Sequence, residues 1–290
     1  MLDRSRSSLN LFAPEKRSEV MPRFMDEVEG IPGDHLLLGE SLDVPNLFPY
    51  DCYSAVTILS DADFVPLDGF SEDLLADDFS AHLAHLCRVR DTGDQDLQHY
   101  SVIWNYIPLA GGSVVHTHHQ PVAWPIPTDY HREMEVGLYR YGGDYFGYLI
   151  WVEEGGERWV GREGGVLWLT GFATLGHIDM VGVLEGRASL FDLTDEDVSA
   201  LAWSLLKILD YLYDENFVSF NFSLYGLESA EGFTVNCRLS PRFPLSNASG
   251  VSDVNYFEAS NAESLAFFYP KAFARELRER FAGPEGGGSR

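Results

Sequence analysis

The sequence predicts an α+β protein made of two similar half-domains, each an antiparallel sheet with packed helices. Three observations carry this. Apolar residues make up 45 % of the 290 positions and are spread along the chain. Runs of β-branched and aromatic residues of strand length alternate with strongly capped amphipathic helices. The order strand, helix, strand, strand occurs around Tyr53–Val122 and again around Val181–Leu239. The domain reading is an N-terminal arm over residues 1–29, a first half-domain over 30–175, a second over 176–282, and a disordered Gly-rich tail over 283–290.

The elements follow in order. Tyr53 to Leu59 reads as a strand, after which Ser71 caps a helix carrying Leu75, Phe79, Leu83 and Leu86 on one face. Tyr100 to Tyr106 returns to strand composition. The turn Ala110-Gly111-Gly112-Ser113 comes next, and Val114 to Val122 resumes extended structure. Pro127 precedes a helix over Thr128 to Arg140. The runs YFGYLIWV, GERWVG and GVLWLTGF then read as strands of an antiparallel sheet. Thr194 opens a second strong helix, with Leu201, Leu205, Ile208, Leu209 and Leu212 as its stripe. Phe217 to Tyr225 and Phe233 to Leu239 are strands, and Pro270 precedes a last helix ending near Phe281.

A formal net charge of −25 argues against binding to nucleic acid or an anionic membrane, since both need a basic face. An anionic ligand must then be held locally, by backbone N–H groups or a few placed cations. Cys52, Cys87 and Cys237 form no CxxC pair, so neither a disulfide framework nor a cysteine-based zinc site is indicated. With no apolar leader segment and no run of membrane-spanning length, the expected location is the cytoplasm.

Chemistry concentrates in residues 105–120, NYIPLAGGSVVHTHHQ. In an extended strand His116, His118 and Gln120 share one face while Thr117 and His119 take the other. A neutral imidazole is a good nucleophile, and its tautomer is fixed when the second ring nitrogen donates to a carbonyl. Ser113 and the N–H groups beside Gly111 and Gly112 suit phosphoryl oxygens, where charge builds in the transition state. Taken alone, a His-x-His pair also fits a buried hydrogen-bonded pair or a metal site.

The combination of Asn105, Gly111-x-Ser113 and His116-x-His118-x-Gln120 resembles that of galactose-1-phosphate uridylyltransferases and related nucleotide phosphorylases, of the histidine-triad-like superfamily. The resemblance implies two histidine-triad-like half-domains, His118 as the nucleophile that carries a nucleotidyl group, and His116 and Gln120 beside it. Gln120 in place of a third His implies transfer in preference to hydrolysis. Asn105, Gly111, Gly112 and Ser113 are implied nucleotide or phosphate contacts. Asn46, in Asn46-Leu-Phe-Pro49, resembles part of the segment that grips the nucleoside, although Asn46 and Asn221 by themselves read as turn residues.

Two departures bear on metals. The family's structural zinc uses a Cys pair with the first His of the His-x-His, and no Cys pair is present, so no cofactor and no metal ligand is assigned. Where many members carry a second His-x-His this chain has Asn236 and Arg238, and Arg238 and Arg242 read either as phosphate partners or as surface or salt-bridge residues. The expected ligand is a nucleoside diphosphate compound or nucleotide sugar, and a homodimer is expected because dimers are common in the family. Three readings remain: a nucleotidyltransferase, a phosphorylase of the same superfamily, and a nucleotide-binding protein without catalysis. A metal-dependent hydrolase using His116, His118 and His119 is disfavoured because His119 faces away.

Overall fold

The computed structural model describes residues 36–46, 53–94, 96–243, 254, 256–261 and 263–282. Within them the strands are β1 (Leu36–Leu38), β2 (Ser41–Pro45), β3 (Tyr53–Ile58), β4 (His99–Tyr106), β5 (His118–Trp124), β6 (Trp159–Glu163), β7 (Val166–Thr170), β8 (Met180–Leu184), β9 (Ser219–Leu227) and β10 (Asn236–Arg242). The helices are α1 (Glu72–Asp91), α2 (Asp129–Tyr141), α3 (Tyr145–Glu153), α4 (Asp195–Asp214), α5 (Tyr256–Asn261) and α6 (Pro270–Phe281). The arm over 1–29 and the tail over 283–290 lie outside the described residues. No described helix is long and apolar enough to cross a membrane.

The strands form one antiparallel sheet in the order β1-β2-β3-β5-β4-β9-β10-β8-β7-β6. This order contains one arrangement twice. In each set of five, a long helix separates the third strand from the fourth, and the fifth strand inserts between them: α1 follows β3, and α4 follows β8. The sets join through β4 and β9, where Asn105 stands opposite Asn221. The junction at residues 175–176 falls between β7 and β8, whereas the repeat runs over β1–β5 and β6–β10.

Capping and periodicity account for the two long helices. The Ser71 side chain accepts from Leu74 N at 3.2 Å, and α1 buries Leu75, Phe79 and Leu86, with Leu83 half-buried. Thr194 and Asp197 form a capping box for α4, which buries Leu201, Leu205, Ile208, Leu209 and Leu212. These helices cover one face of the sheet, and the core they enclose includes Trp104, Phe220, Phe222 and Leu224. Truncating a ring such as Trp104 to Ala would cost about 3–5 kcal/mol. Along β4 and β9 the alternate residues Ile103, Asn105, Asn221, Ser223 and Tyr225 are only half-buried and line the opposite face. A strand pair with a polar second face at the centre of the sheet is where a polar ligand can lie.

Two sequence expectations are corrected. Residues 145–152, read as a strand, belong to α3: Asp144 caps it by accepting from Gly147 N at 2.8 Å, while Phe146 and Ile150 turn inward. An unbroken apolar run has no period to separate helix from strand, so the cap decides. Extended structure expected from Val114 starts only at His118, because the pairing with β3 stops at Ile58 opposite His118, closed by Leu59 N donating to the Thr117 carbonyl at 3.3 Å. The helix expected over 128–140 is α2, capped by Thr128.

Candidate active site

His118 begins β5, with 8 % of its surface exposed. Its Nδ1–H donates to the His116 carbonyl at 2.8 Å. In a neutral ring this places the lone pair on Nε2. Burial lowers the His118 pKa below its usual 6.5, more than the hydrogen bond to His116 raises it, so the ring is neutral at pH 7. A neutral imidazole with a fixed tautomer is the nucleophilic form.

The bend before β5 is anchored by β4 and β9. Gly112 N and Ala110 N both donate to the Ile107 carbonyl at 3.1 Å, and Asn221 Nδ2 donates to the Ala110 carbonyl at 2.8 Å and to Asn105 Oδ1 at 2.7 Å. Gly111 sits at φ +92°, and a Cβ on Gly112 would lie 2.7 Å from the Asn105 carbonyl oxygen, so both positions need glycine. Ile107 also has a positive φ, 61°, which is costly for a β-branched residue. Strain of this kind persists only where surrounding bonds hold it, and here it shapes the turn that carries Gly111, Gly112 and the exposed Ser113.

Gln120 is half-buried and opposite Ile103, so alternation places it on the same face as His118, with Asn105 in the next register position. That face continues through Asn221 and its partner Ser240 into a cleft of roughly 390 Å³ whose lining includes Ser223, Tyr225, Arg238 and Arg242. Arg242 donates to Asn221 Oδ1 at 3.0 Å. Arg238 is paired with the fully buried carboxylate of Asp179, which also accepts from Ser240 and from the backbone N–H groups of Leu175 and Gly176. The expected phosphate contact Arg238 is thus a charge already held by a carboxylate at the cleft wall. Asn46 stands at the end of β2 with its Nδ2 donating to Ser54 Oγ at 3.2 Å, and residues 47–49 of its motif lie outside the described residues.

His116 is corrected most. It does not share a strand face with His118 and Gln120; it lies in the bend, buried, and its Nε2–H donates to the Ser60 carbonyl at 3.1 Å. Its part in the site is its backbone carbonyl, which orients His118. The zinc implied by the resemblance does not fit these residues, because the Cys pair it needs does not exist.

Sequence reasoning missed what lies behind the strand. His119 points into the core, where its Nδ1 meets Asp78 Oδ2 and lies 2.9 Å from His82 Nε2. His82 Nε2 is also 2.8 Å from Asp78 Oδ2, and all three side chains are fully buried. Burial alone would raise the Asp78 carboxyl, but the two imidazoles outweigh it and hold its pKa at about 2. Burial lowers His119 to about 4 despite the carboxylate beside it. The readable signal was the Asp78 and His82 pair four apart on one helix face.

No family model matches the chain. A protein of Archaeoglobus fulgidus described as uncharacterized is 29 % identical over 273 residues, covering 92 % of this chain and 80 % of that protein. Among solved structures, a GALT-like protein of Arabidopsis thaliana superposes with a TM-score of 0.72 at 14 % identity, over 93 % of this chain and 91 % of the other. A uridylyltransferase mutant gives 0.71 at 14 % identity, over 83 % and 88 %. An ADP-glucose phosphorylase of Arabidopsis thaliana, solved with bound ADP-glucose, gives 0.69 at 14 % identity, over 95 % and 93 %. The chain therefore has the fold of galactose-1-phosphate-uridylyltransferase-like proteins, as the resemblance implied, and the α+β class is as expected.

Proposed function

We propose that the chain transfers a nucleoside monophosphate from a nucleoside diphosphate compound, such as a nucleotide sugar, to a phosphate-bearing acceptor through a covalent intermediate on His118. The observation that carries this is the Nδ1–H donation of a buried, neutral His118 to the His116 carbonyl. Nε2 attacks the α-phosphorus, a P–N bond forms, and the P–O bond to the leaving phosphate breaks. The positive charge left on the ring is eased by the carbonyl at Nδ1. In the second step an acceptor phosphate oxygen attacks the same phosphorus and the P–N bond breaks, which returns the neutral ring.

The other residues have roles that follow from their positions. Gln120 donates its amide N–H to a phosphoryl oxygen, and Ser113 at the end of the bend receives the charge that develops there; the N–H groups of Gly111 and Gly112, which the sequence offered for this, are held by the Pro108 and Ile107 carbonyls and serve to shape the turn. Asn221, which donates to both Asn105 Oδ1 and the Ala110 carbonyl, steadies that bend from β9 and fixes Asn105 beside it. With inorganic phosphate as acceptor the reaction is a phosphorolysis; with a sugar phosphate it is a uridylyltransferase-type exchange. ADP-glucose bound to a protein of the same fold supports testing nucleotide sugars first.

The test is incubation with UDP-glucose, ADP-glucose, GDP-sugars and dinucleoside polyphosphates, followed by intact mass. A nucleotidylated protein that disappears in His118→Ala is expected. No adduct and no turnover across the panel would overturn the transfer reading, and thermal stabilisation by the same compounds would then identify a nucleotide-binding protein without catalysis.

A further inference from the structure

The contacts behind β5 pose a proton-counting problem. Asp43 Oδ1 accepts from Thr57 Oγ1 at 2.8 Å, and this uses the only hydroxyl proton. Thr57 Oγ1 must then accept from His82 Nδ1, 3.0 Å away, so His82 carries a proton on Nδ1. The neutral ring directs its Nε2 lone pair at Asp78 Oδ2 and His119 Nδ1. These three atoms form a triangle of mutual contacts, and with Asp78 as a carboxylate no arrangement of protons satisfies every edge. A proton on His119 Nδ1 leaves the His82 lone pair against the carboxylate. One on His82 Nε2 leaves the His119 lone pair against it, and protons on both oppose each other across the 2.9 Å edge.

A cation at the centre satisfies all three edges at once. The geometry points to a divalent transition-metal site, of the zinc class, formed by Asp78 Oδ2, His82 Nε2 and His119 Nδ1. Two imidazoles and a carboxylate suit zinc and its neighbours better than magnesium or calcium, which prefer all-oxygen shells. Asp78 Oδ1, buried and without a hydrogen-bond partner among the described residues, is available as a fourth donor. Around His82 the outer shell also follows the pattern of metal-bound histidines, whereas the buried His119 Nε2 has no hydrogen-bond partner among the described residues. His82 passes its Nδ1–H to Thr57, Thr57 donates to Asp43, and Asp43 Oδ2 meets His85 Nδ1 at 2.8 Å. All these residues are buried, with no opening for substrate, so the site is structural. It ties α1 to β5 directly behind the proposed nucleophile. It is also distinct from the cysteine-containing zinc site of the resemblance, which this chain cannot form.

The test uses the full-length protein, stripped with a chelator, freed of it, and reconstituted with Zn(II) or Co(II) alone. Elemental analysis should find an equimolar ion, Co(II) should give a visible d–d spectrum of low-symmetry nitrogen and oxygen coordination, and the thermal midpoint should rise by roughly 5 °C or more at a hundredfold excess of ion over Kd. His118→Ala should keep the ion and the spectrum, and His119→Ala and Asp78→Asn should lose both. Failure of the folded wild-type protein to retain either ion would overturn the site whatever the variants do, and so would an unchanged Co(II) spectrum in a folded His119→Ala protein. An ion lost from His118→Ala would place the metal on the other side of the strand and overturn it equally.

Discussion

His118 and His119 are adjacent, of one residue type, and on opposite sides of the same strand. His118 gives its Nδ1–H to a backbone carbonyl and faces the polar side of the sheet beside Gln120 and the glycine bend. His119 sends the same nitrogen to the Asp78 carboxylate in the fully buried core, 4.0 Å between ring centroids from Trp104. Burial lowers both pKa values, yet one ring is held by a backbone carbonyl on the polar side of the strand and the other by a carboxylate and a second imidazole in the core. The comparison teaches that surroundings set the state of an imidazole, and that one strand can give adjacent histidines entirely different partners.

The contrast can be broken at several points. The largest effect is expected from His118→Ala, which should lower transfer by at least about 10³-fold while a urea titration shows stability nearly unchanged. On the other side, Asp78→Ala should cost about 1–3 kcal/mol in the same titration, since it leaves buried imidazole nitrogens without their hydrogen-bond partner. The fraction that remains folded should still form the His118 adduct. Gln120→Ala should slow adduct formation by about 10²-fold in rapid-quench kinetics, as removal of one oxyanion donor does, with the melting temperature unchanged. Gly112→Ala should lower stability by about 1–3 kcal/mol, because its Cβ would force the Asn105 carbonyl away. Melting and turnover of that variant should fall together. If Asp78→Ala abolished the adduct in fully folded protein, the two sides of β5 would not be separable.

How much of this was legible in the sequence depended on whether the signal was local. Ser71 and Thr194 marked their helices because a cap and an apolar stripe lie within a few residues. His118, Gln120 and the glycine bend were readable because their spacing along the chain is their geometry. His116 was misplaced because periodicity was extended across residues 114–117, where the ladder to β3 has already ended. The run at 145–152 misled because it is apolar at every position, and its helix is set by Asp144. The Asp78, His82 and His119 cluster was out of reach: it joins residues 37 apart in sequence through the packing of α1 on β5, and no spacing rule connects a helix face to the hidden side of a strand. Asp179 was hidden likewise, since its partner Arg238 lies 59 residues away.

The most direct test of the account is to locate the adduct. After a brief reaction with a nucleotide sugar, proteolysis at alkaline pH and tandem mass spectrometry should find an acid-labile nucleotidyl group on His118 alone. A nucleotidyl group on His116, on His119 or on an oxygen nucleophile would contradict the assignment of roles to the two faces of the strand.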